Sequence, residues 1–183
     1  AALGRIDAVT VASQALRGLS DSAGATAVLA VWGEHGPTVV RFEETAHPVR
    51  MNVRVGSTLP VTVSAIGQVF AAFLPPAAVE PFLAAERVRF GDAVGRDMLA
   101  QLIEEVRARR IGRSIGTYVA GVTALAAPVF DAQGRIVAVM GLLGHEPLLN
   151  ADWSGAEVRA LDRAAGKVSE RLGYGRPAVP AAV

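Results

Sequence analysis

The strongest constraint on the fold is a pair of apolar segments, Val122–Phe130 and Ile136–Leu143, which only the short sequence Asp131–Arg135 separates. Both segments are rich in Val, Leu and Ala, as buried strands are. The connection carries the aspartate and glycine typical of a hairpin turn. The chain is therefore expected to contain an antiparallel sheet built around this hairpin.

Two further segments extend the same pattern. Ala25–Trp32 and Thr38–Phe42 flank the turn sequence Gly33–Pro37, which indicates a second antiparallel hairpin. From His47 to Val55, apolar and polar residues alternate with period two, which predicts a half-exposed strand ended by Gly56.

Helical periodicity is found in the remaining segments, which predicts helices over 5–19, 64–74, 78–84, 96–110 and from Ser154 onward. Residues 20–24 are expected to end the first of these helices. Ser64 is a candidate N-cap, and Ser154 with Glu157 matches a capping box. Gly112 is the expected stop of the fourth helix, whose inward face is predicted to hold Met98, Leu99, Leu102, Ile103 and Val106. Hairpins rather than strand-helix-strand units connect the predicted strands, which predicts an α+β domain with helices packed on an antiparallel sheet. The first and last helices are expected side by side on one face of that sheet.

Composition removes several classes of function. Of 183 residues, 51% are hydrophobic, which supports a core in one domain, and no uninterrupted apolar run is long enough to span a membrane. Cysteine is absent, so thiolate sites are excluded, and a reducing cytoplasm is compatible. The net charge of +1 argues against a DNA-binding surface on this segment.

Catalytic, cofactor and metal motifs are not recognisable either, so we predict no catalytic residue, no cofactor and no metal. His35, His47 and His145 lie far apart, and the adjacent Glu43 and Glu44 point to opposite sides of a strand. No phosphate-binding loop or nucleophile elbow occurs. A basic cluster could contact an acidic partner or could simply be the solvated end of a helix: Arg107, Arg109, Arg110 and Arg113.

The segment Gly56–Gln68 has a pattern that suits a binding site. A strand ends, a short loop turns, and a helix begins among small residues, with Ala65 and Gly67 leaving room for close approach. Free N–H groups at such a helix start can bind a carboxylate. The same features also suit tight packing of a helix on a sheet, and local sequence does not choose between them.

Together with Gly121–Phe130 and Val139–Gly144, this segment resembles the effector-binding domain of IclR-type bacterial regulators. Gly56-x-x-Leu59-Pro60 leading to Ala65-x-Gly67 resembles one motif of that family, and Gly121-Val122 through Ala127-Pro128-Val129 resembles another. His47-Pro48-Val49-Arg50 and the helix from Leu99 to Gly112 also fit. The resemblance covers about Leu3 to Gly173.

The resemblance implies a GAF-like antiparallel sheet flanked by helices over residues 1–173, with 174–183 as a flexible tail. It implies a small-molecule effector, assembly of the chain as a dimer or tetramer, and DNA contacts only through an upstream winged helix-turn-helix domain that this sequence lacks. The position of its motifs predicts an effector site formed by Met51, Ser64, Ala65, Ile66, Gly67, Thr117, Tyr118, Val122, Ala124, Gly141 and Leu143.

Departures from the family pattern change the kind of ligand that is expected. Gln68 replaces a common lysine, the loop 113–120 is short, and Gly141 and Leu143 replace polar residues on the last strand. Such an apolar lining suits a weakly polar, carboxylate-bearing metabolite, with Ser64, Thr117 and Tyr118 as polar contacts. The alternative is an oligomerisation module without a functional pocket; an enzyme has no recognisable residues to support it.

Overall fold

The computed structural model describes residues 2–45, 53–91 and 95–175, and the side chains of residues 2–6 and 90 lie outside the description. In chain order, the elements are α1 (Ala2–Ala23), β1 (Thr26–Gly33), β2 (Gly36–Glu43), α2 (Ala65–Phe73), α3 (Pro76–Phe90), α4 (Arg96–Arg109), β3 (Gly112–Ile115), β4 (Val122–Phe130), β5 (Ile136–His145) and α5 (Ala156–Arg171). The α+β class predicted from the sequence is confirmed.

The five strands form one antiparallel sheet in the order β2-β1-β5-β4-β3. Both predicted hairpins are present, as β1–β2 and β4–β5. In the first, Gly33 pairs with Gly36, so the turn is shorter than the predicted Gly33–Pro37. The contact between β1 and β5 joins the two hairpins into a continuous sheet.

Helices α1 and α5 cover one face of the sheet, side by side as predicted. Leu16 of α1 and Leu161 of α5 pack against Leu29, Leu125 and Met140 of the central strands, and all five are at most 1% exposed. Because alternate strand residues point to opposite faces, the neighbours of these residues face the other layer. The apolar strands are therefore buried on both sides.

On the opposite face, α2 lies across the sheet and α4 packs against α2. Val69 and Phe70 of α2 contact Val28, Ala126 and Val139 of the sheet in a second buried cluster. Eight consecutive residues of α2, from Ala65 to Ala72, are buried, because the sequence of this helix is small and apolar. This layer positions the start of α2 above the strands.

Several predicted helix ends were wrong. Ser154 does not cap α5, because the helix begins at Ala156 and Gly155 takes the N-cap position with no side-chain bond. Gly112 does not stop α4: Arg110 adopts the left-handed conformation (φ 58°) and Gly112 begins β3. The first helix also continues through the predicted break to Ala23.

Other local predictions were also wrong. The predicted short helix 78–84 is part of the longer α3, and Met98, expected to face inward, is 58% exposed. Most of the predicted strand His47–Val55 lies outside the described residues, and its described remainder, Val53–Val55, is not a strand. Instead, the next residues run along the edge of β2, where the Val39 N–H donates to the Ser57 carbonyl at 2.9 Å.

Tyr174 belongs to the packed domain although the sequence placed it in the tail. Its ring stacks on Phe130 with a centroid distance of 5.0 Å, and its hydroxyl accepts a hydrogen bond of 2.8 Å from Arg110. The Arg110 guanidinium also lies 4.7 Å from the Phe130 ring centre. These contacts help to hold Arg110 in a backbone conformation that a non-glycine residue seldom adopts.

Candidate functional site

A cavity lies between the sheet and the start of α2. Its floor is formed by side chains from all five strands, among them Val28, Leu143, Ala124 and Ser114. Its other walls come from the helix start and from two loops; these residues are Val53, Leu59, Ser64, Ala65, Ile66, Tyr118 and Val119. The helix-on-sheet arrangement therefore creates an enclosed space at the place that the sequence pattern indicated.

The start of α2 presents hydrogen-bond donors beside this cavity. Ser64 is the N-cap, and its hydroxyl accepts from the Gly67 N–H at 2.9 Å, as predicted. Among the described residues, the N–H groups of Ala65 and Ile66 have no acceptor. Unpaired N–H groups at a helix N-terminus, together with the helix dipole, favour an anionic group.

The loop before α2 is fixed in place by a carboxylate from α3. Glu86 accepts hydrogen bonds from the N–H groups of Val61 and Thr62, and also from the Thr62 hydroxyl at 2.7 Å. Gly67 closes the same contact, since a β-carbon on it would lie 2.3 Å from the Pro60 carbonyl oxygen. The glycine thus serves the packing of loop on helix, and the loop positions the helix start.

The two serine hydroxyls among the described lining residues each donate a hydrogen bond to the protein backbone. Ser64 donates to the Pro60 carbonyl, and Ser114 donates to the Val63 carbonyl at 3.1 Å. Among the described lining residues, the phenol of Tyr118, which is 40% exposed, is the remaining polar side chain. None of these described residues is a carboxylate, histidine, lysine or arginine. An apolar lining with a few polar groups suits a weakly polar molecule.

The cavity is nearly closed in this conformation. The free volume at its centre is about 30 Å³, enough for one or two waters. Ile66 is 3% exposed and fills the space above Gly141, where a β-carbon would lie 3.3 Å from its Cδ1 atom. A molecule larger than water therefore requires the walls to separate.

The structure gathers seven of the predicted site residues around this cavity: Ser64, Ala65, Ile66, Tyr118, Val122, Ala124 and Leu143. Gly67 packs against the loop and Gly141 lies beneath Ile66, so neither is in the lining. Thr117 lies in a separate cleft beside Trp153. Met51 is outside the described residues.

The sequence did not reveal several wall residues. Val28 and Val39 belong to strands that the sequence motifs did not mark, and Ser114 lies on β3, which was expected to be part of a loop. Strand periodicity could have placed Val28 on the same face as its neighbours. Nothing in the sequence indicated that β1 pairs with β5, the contact that brings Val28 to the site.

One buried hydroxyl on this sheet face has no partner. Thr26 pairs across the strands with Leu143 of the lining and is 1% exposed, yet its Oγ1 atom makes no hydrogen bond. Directly paired residues of an antiparallel sheet share a face, so Thr26 lies beside the cavity. The sequence did not single it out.

Charged groups of the described residues outside this cavity do not assemble a metal site. Among the described residues, no group of three or more acidic or histidine side chains is arranged to hold a metal ion. Burial alone would raise the pKa of Asp131, but hydrogen bonds from Arg135 and Gln133 in the β4–β5 turn outweigh it and lower that pKa. None of the described helices combines the length and apolar character needed to cross a bilayer.

Comparison with known proteins gives a consistent result. The model of the family described as "Bacterial transcriptional regulator IclR C-terminal" matches residues 1–170. The chain is 30% identical to the glycerol operon regulatory protein of Streptomyces griseus over 86% of its own length and 63% of that protein's. A second curated relative is matched over 52% of its length, so the chain spans roughly half to two thirds of these proteins.

Two solved structures show the same fold. HmgR of Pseudomonas aeruginosa superposes with a TM-score of 0.85 and 36% identity, covering 91% of this chain and 67% of that one. IclR of Thermotoga maritima superposes with a TM-score of 0.80, covering 91% and 69% of the two chains. Its identity of 19% makes this second likeness informative about the fold alone.

Proposed function

The chain belongs to the IclR family of bacterial transcriptional regulators as a C-terminal effector-binding domain, and on that premise we propose that it senses a small, weakly polar, carboxylate-bearing metabolite. The single observation that carries this proposal is the apolar cavity that meets the unpaired N–H groups of Ala65 and Ile66. An apolar body and one anionic group match these two features.

The effector would bind an open form of the cavity. Because the present free volume is about 30 Å³, a ligand of several heavy atoms must select a conformation in which Ile66 and the loop walls move apart. The ligand shifts the balance between the two forms only by its difference in affinity for them. A closed ligand-free form is therefore compatible with sensing.

We propose that this opening alters the arrangement of paired subunits, as a dimer or tetramer, and through it the spacing of upstream DNA-binding domains. The near-neutral charge of the chain, +1, supports assigning DNA contact to a winged helix-turn-helix domain outside this sequence. We further propose that this activity lies in the bacterial cytoplasm, where transcription is regulated. The homologues are transcriptional regulators, and the apolar cavity supports a binding role over an enzymatic one.

The second candidate is an oligomerisation module without a functional ligand. The observation favouring it is the same small free volume, since Ile66 and the surrounding side chains fill most of the interior. In that case the domain only pairs subunits, and the cavity is a small packing defect that binds no effector. The two functions differ in whether any acid stabilises the native state.

The first experiment is native mass spectrometry of the purified chain, to find a co-purified acid, followed by thermal unfolding with short aliphatic and aromatic monocarboxylates. A native-state ligand raises the unfolding temperature, and the increase grows with the logarithm of the ligand concentration once that concentration exceeds Kd. We expect the variant Ala124→Met, which fills the cavity from its half-buried wall, to lose that increase.

A matched variant, Ala160→Met, makes the same substitution at a half-buried position in the groove between α1 and α5 and should keep the full increase. If no acid binds wild type, or if Ala124→Met binds as wild type does, the assignment of the cavity fails. Complete absence of acid binding with intact self-association supports the oligomerisation module.

A further inference from the structure

A second open space, here called the rear cleft, lies where α4, β3 and Trp153 meet. It shares no lining residue with the cavity beneath α2, and its free volume is about 180 Å³. Strand β3 separates the two spaces: Ser114 lines the cavity, whereas its neighbours Arg113 and Ile115 line the cleft. The rear cleft is thus a distinct site with room for a small molecule.

Gln68 of α2 holds an unsatisfied acceptor in the wall of this cleft. Its side chain lines the cleft and is almost completely buried, with 3% exposed. The Nε2 group donates to the Thr62 carbonyl at 3.0 Å, but Oε1 has no donor. Oε1 is itself closed off from solvent, so a ligand N–H group reaches it only when the wall of the cleft shifts. Because a buried amide oxygen without a donor is costly, a ligand that makes this contact is favoured.

The free edge of β3 adds unpaired backbone groups. The Gly116 N–H donates to the Val122 carbonyl at 2.9 Å, so these two residues form a hydrogen-bonded pair that continues the ladder between β3 and β4. Ser114, two residues earlier, pairs with Ala124 in the same register and is therefore also at a hydrogen-bonded position. Hydrogen-bonded pairs alternate along an antiparallel ladder, so the peptide groups of Arg113 point away from β4. Among the described residues the Arg113 N–H has no acceptor. This edge therefore offers a donor for a carboxylate.

Charged side chains of opposite sign stand at the cleft. One Glu105 carboxylate oxygen accepts from Arg109 at 3.2 Å, which leaves the other oxygen available. The Arg113 guanidinium lies 3.9 Å from the ring centre of Trp153 and uses one N–H on the Ala151 carbonyl. Within the described part of the chain its other N–H groups have no acceptor, and these two contacts fix its position.

We propose that the rear cleft binds a small α-amino acid as a zwitterion. The ammonium group donates to Gln68 Oε1 and Glu105, and the carboxylate accepts from the Arg113 N–H and guanidinium. An acid without an amine leaves Gln68 unsatisfied, and an amine without a carboxylate leaves Arg113 unused. The proposal does not depend on a ligand in the cavity beneath α2.

The test uses L-alanine as the zwitterion, with propionate and ethylamine as probes that carry only one of its charges. Calorimetry and the side-chain amide NMR signal of Gln68 report binding. We expect L-alanine to bind and to shift that signal, with each single-charge probe at least about tenfold weaker. Absence of heat and of a signal shift at about 10 mM L-alanine overturns the proposal.

Variants separate the rear cleft from the cavity. Glu105→Gln, at a partly exposed position, should weaken L-alanine about tenfold or more, and Gln68→Leu should do so provided that it remains folded. Ala124→Met, which fills the cavity, should leave L-alanine binding unchanged. Equal binding by wild type and Glu105→Gln, or loss of binding in Ala124→Met, contradicts the assignment to this cleft.

Discussion

The Cδ1 atom of Ile66 lies against Gly141, 3.3 Å from the place where a β-carbon on that glycine would stand. The same β-carbon would be 3.0 Å from Cγ2 of Val28 and 3.2 Å from the Leu125 carbonyl oxygen. The absence of a side chain on β5 thus allows α2 to approach the sheet. This contact makes the closed cavity and links α2 to the sheet at the proposed effector site.

Replacing this glycine should force the two layers apart. We expect Gly141→Ala to lower the free energy of unfolding by about 1–3 kcal/mol, because the added methyl group overpacks a filled interior. Ile66→Val removes Cδ1, so the double variant should lose less than the sum of the two single variants. Urea denaturation of all four proteins measures this coupling, and strict additivity would show that the contact has no energetic role.

Ser64 should matter to stability while Ser154 should not. Ser64→Ala removes the hydroxyl that caps α2, and we expect a loss of about 1 kcal/mol. Ser154→Ala is the matched control, because Ser154 contributes only its backbone carbonyl, which accepts from Arg159. Chemical denaturation compares the two variants. Equal losses would contradict the N-cap assignments of α2 and α5.

Two buried hydroxyls offer a contrast between a satisfied and an unsatisfied group. Ser20 donates to the Ala25 carbonyl at 2.8 Å, so Ser20→Ala should cost about 1 kcal/mol. Thr26 has no partner for its hydroxyl, so Thr26→Val should be neutral or stabilising. Thermal unfolding gives the change in stability of each variant relative to wild type. If Thr26→Val loses more stability than Ser20→Ala, the Thr26 hydroxyl is hydrogen-bonded in solution.

The Asp131 carboxylate should make stability depend on pH in the acid range. It accepts from the N–H groups of Gln133 and Arg135 at 2.9 Å each, and its lowered pKa follows from these bonds in spite of burial. A lowered pKa in the folded state stabilises the fold above the ordinary aspartate pKa of about 3.9, and this contribution is lost as pH falls through the folded-state value.

Asp131→Asn should therefore cost about 1–2 kcal/mol at pH 7, chiefly through the hydrogen bonds, since the ion pair with the exposed Arg135 contributes little. The difference from wild type should narrow as the pH is lowered below 4. Denaturation curves recorded across this range give both values. A difference that stays constant with pH would remove the charged carboxylate as its cause.

Local sequence patterns predicted most elements because their causes are local. Apolar periodicity placed α1, α2, α4 and α5, and the hairpin between β4 and β5 followed from two apolar runs with a polar turn. Strand β3 was missed because its four residues, Gly112–Ile115, are too few to display a period. The capping box at Ser154 was wrong because the first turn begins one residue later than the motif suggests.

The candidate site was predicted in part for the same reason. Ser64, Ala65 and Ile66 follow from one helix start, and Val122 and Ala124 from one strand, so a motif in the sequence marks each group. The separation of Thr117 from these residues depends on how the chain turns after β3. Gly116 turns left-handed there (φ 63°) and its N–H donates to the Val122 carbonyl, a contact between separate segments that the neighbouring sequence does not specify.

By itself, the sequence determined the α+β class, the two hairpins, the N-cap at Ser64 and the lack of charged groups among the residues predicted to line the site. Tertiary structure alone decided that β1 lies beside β5, that Ile66 fills the space above Gly141, and that Arg110 rather than a glycine turns left-handed. The physical reason is that periodicity and capping act within a few residues, whereas these contacts depend on the volume and hydrogen bonds of residues distant in the chain.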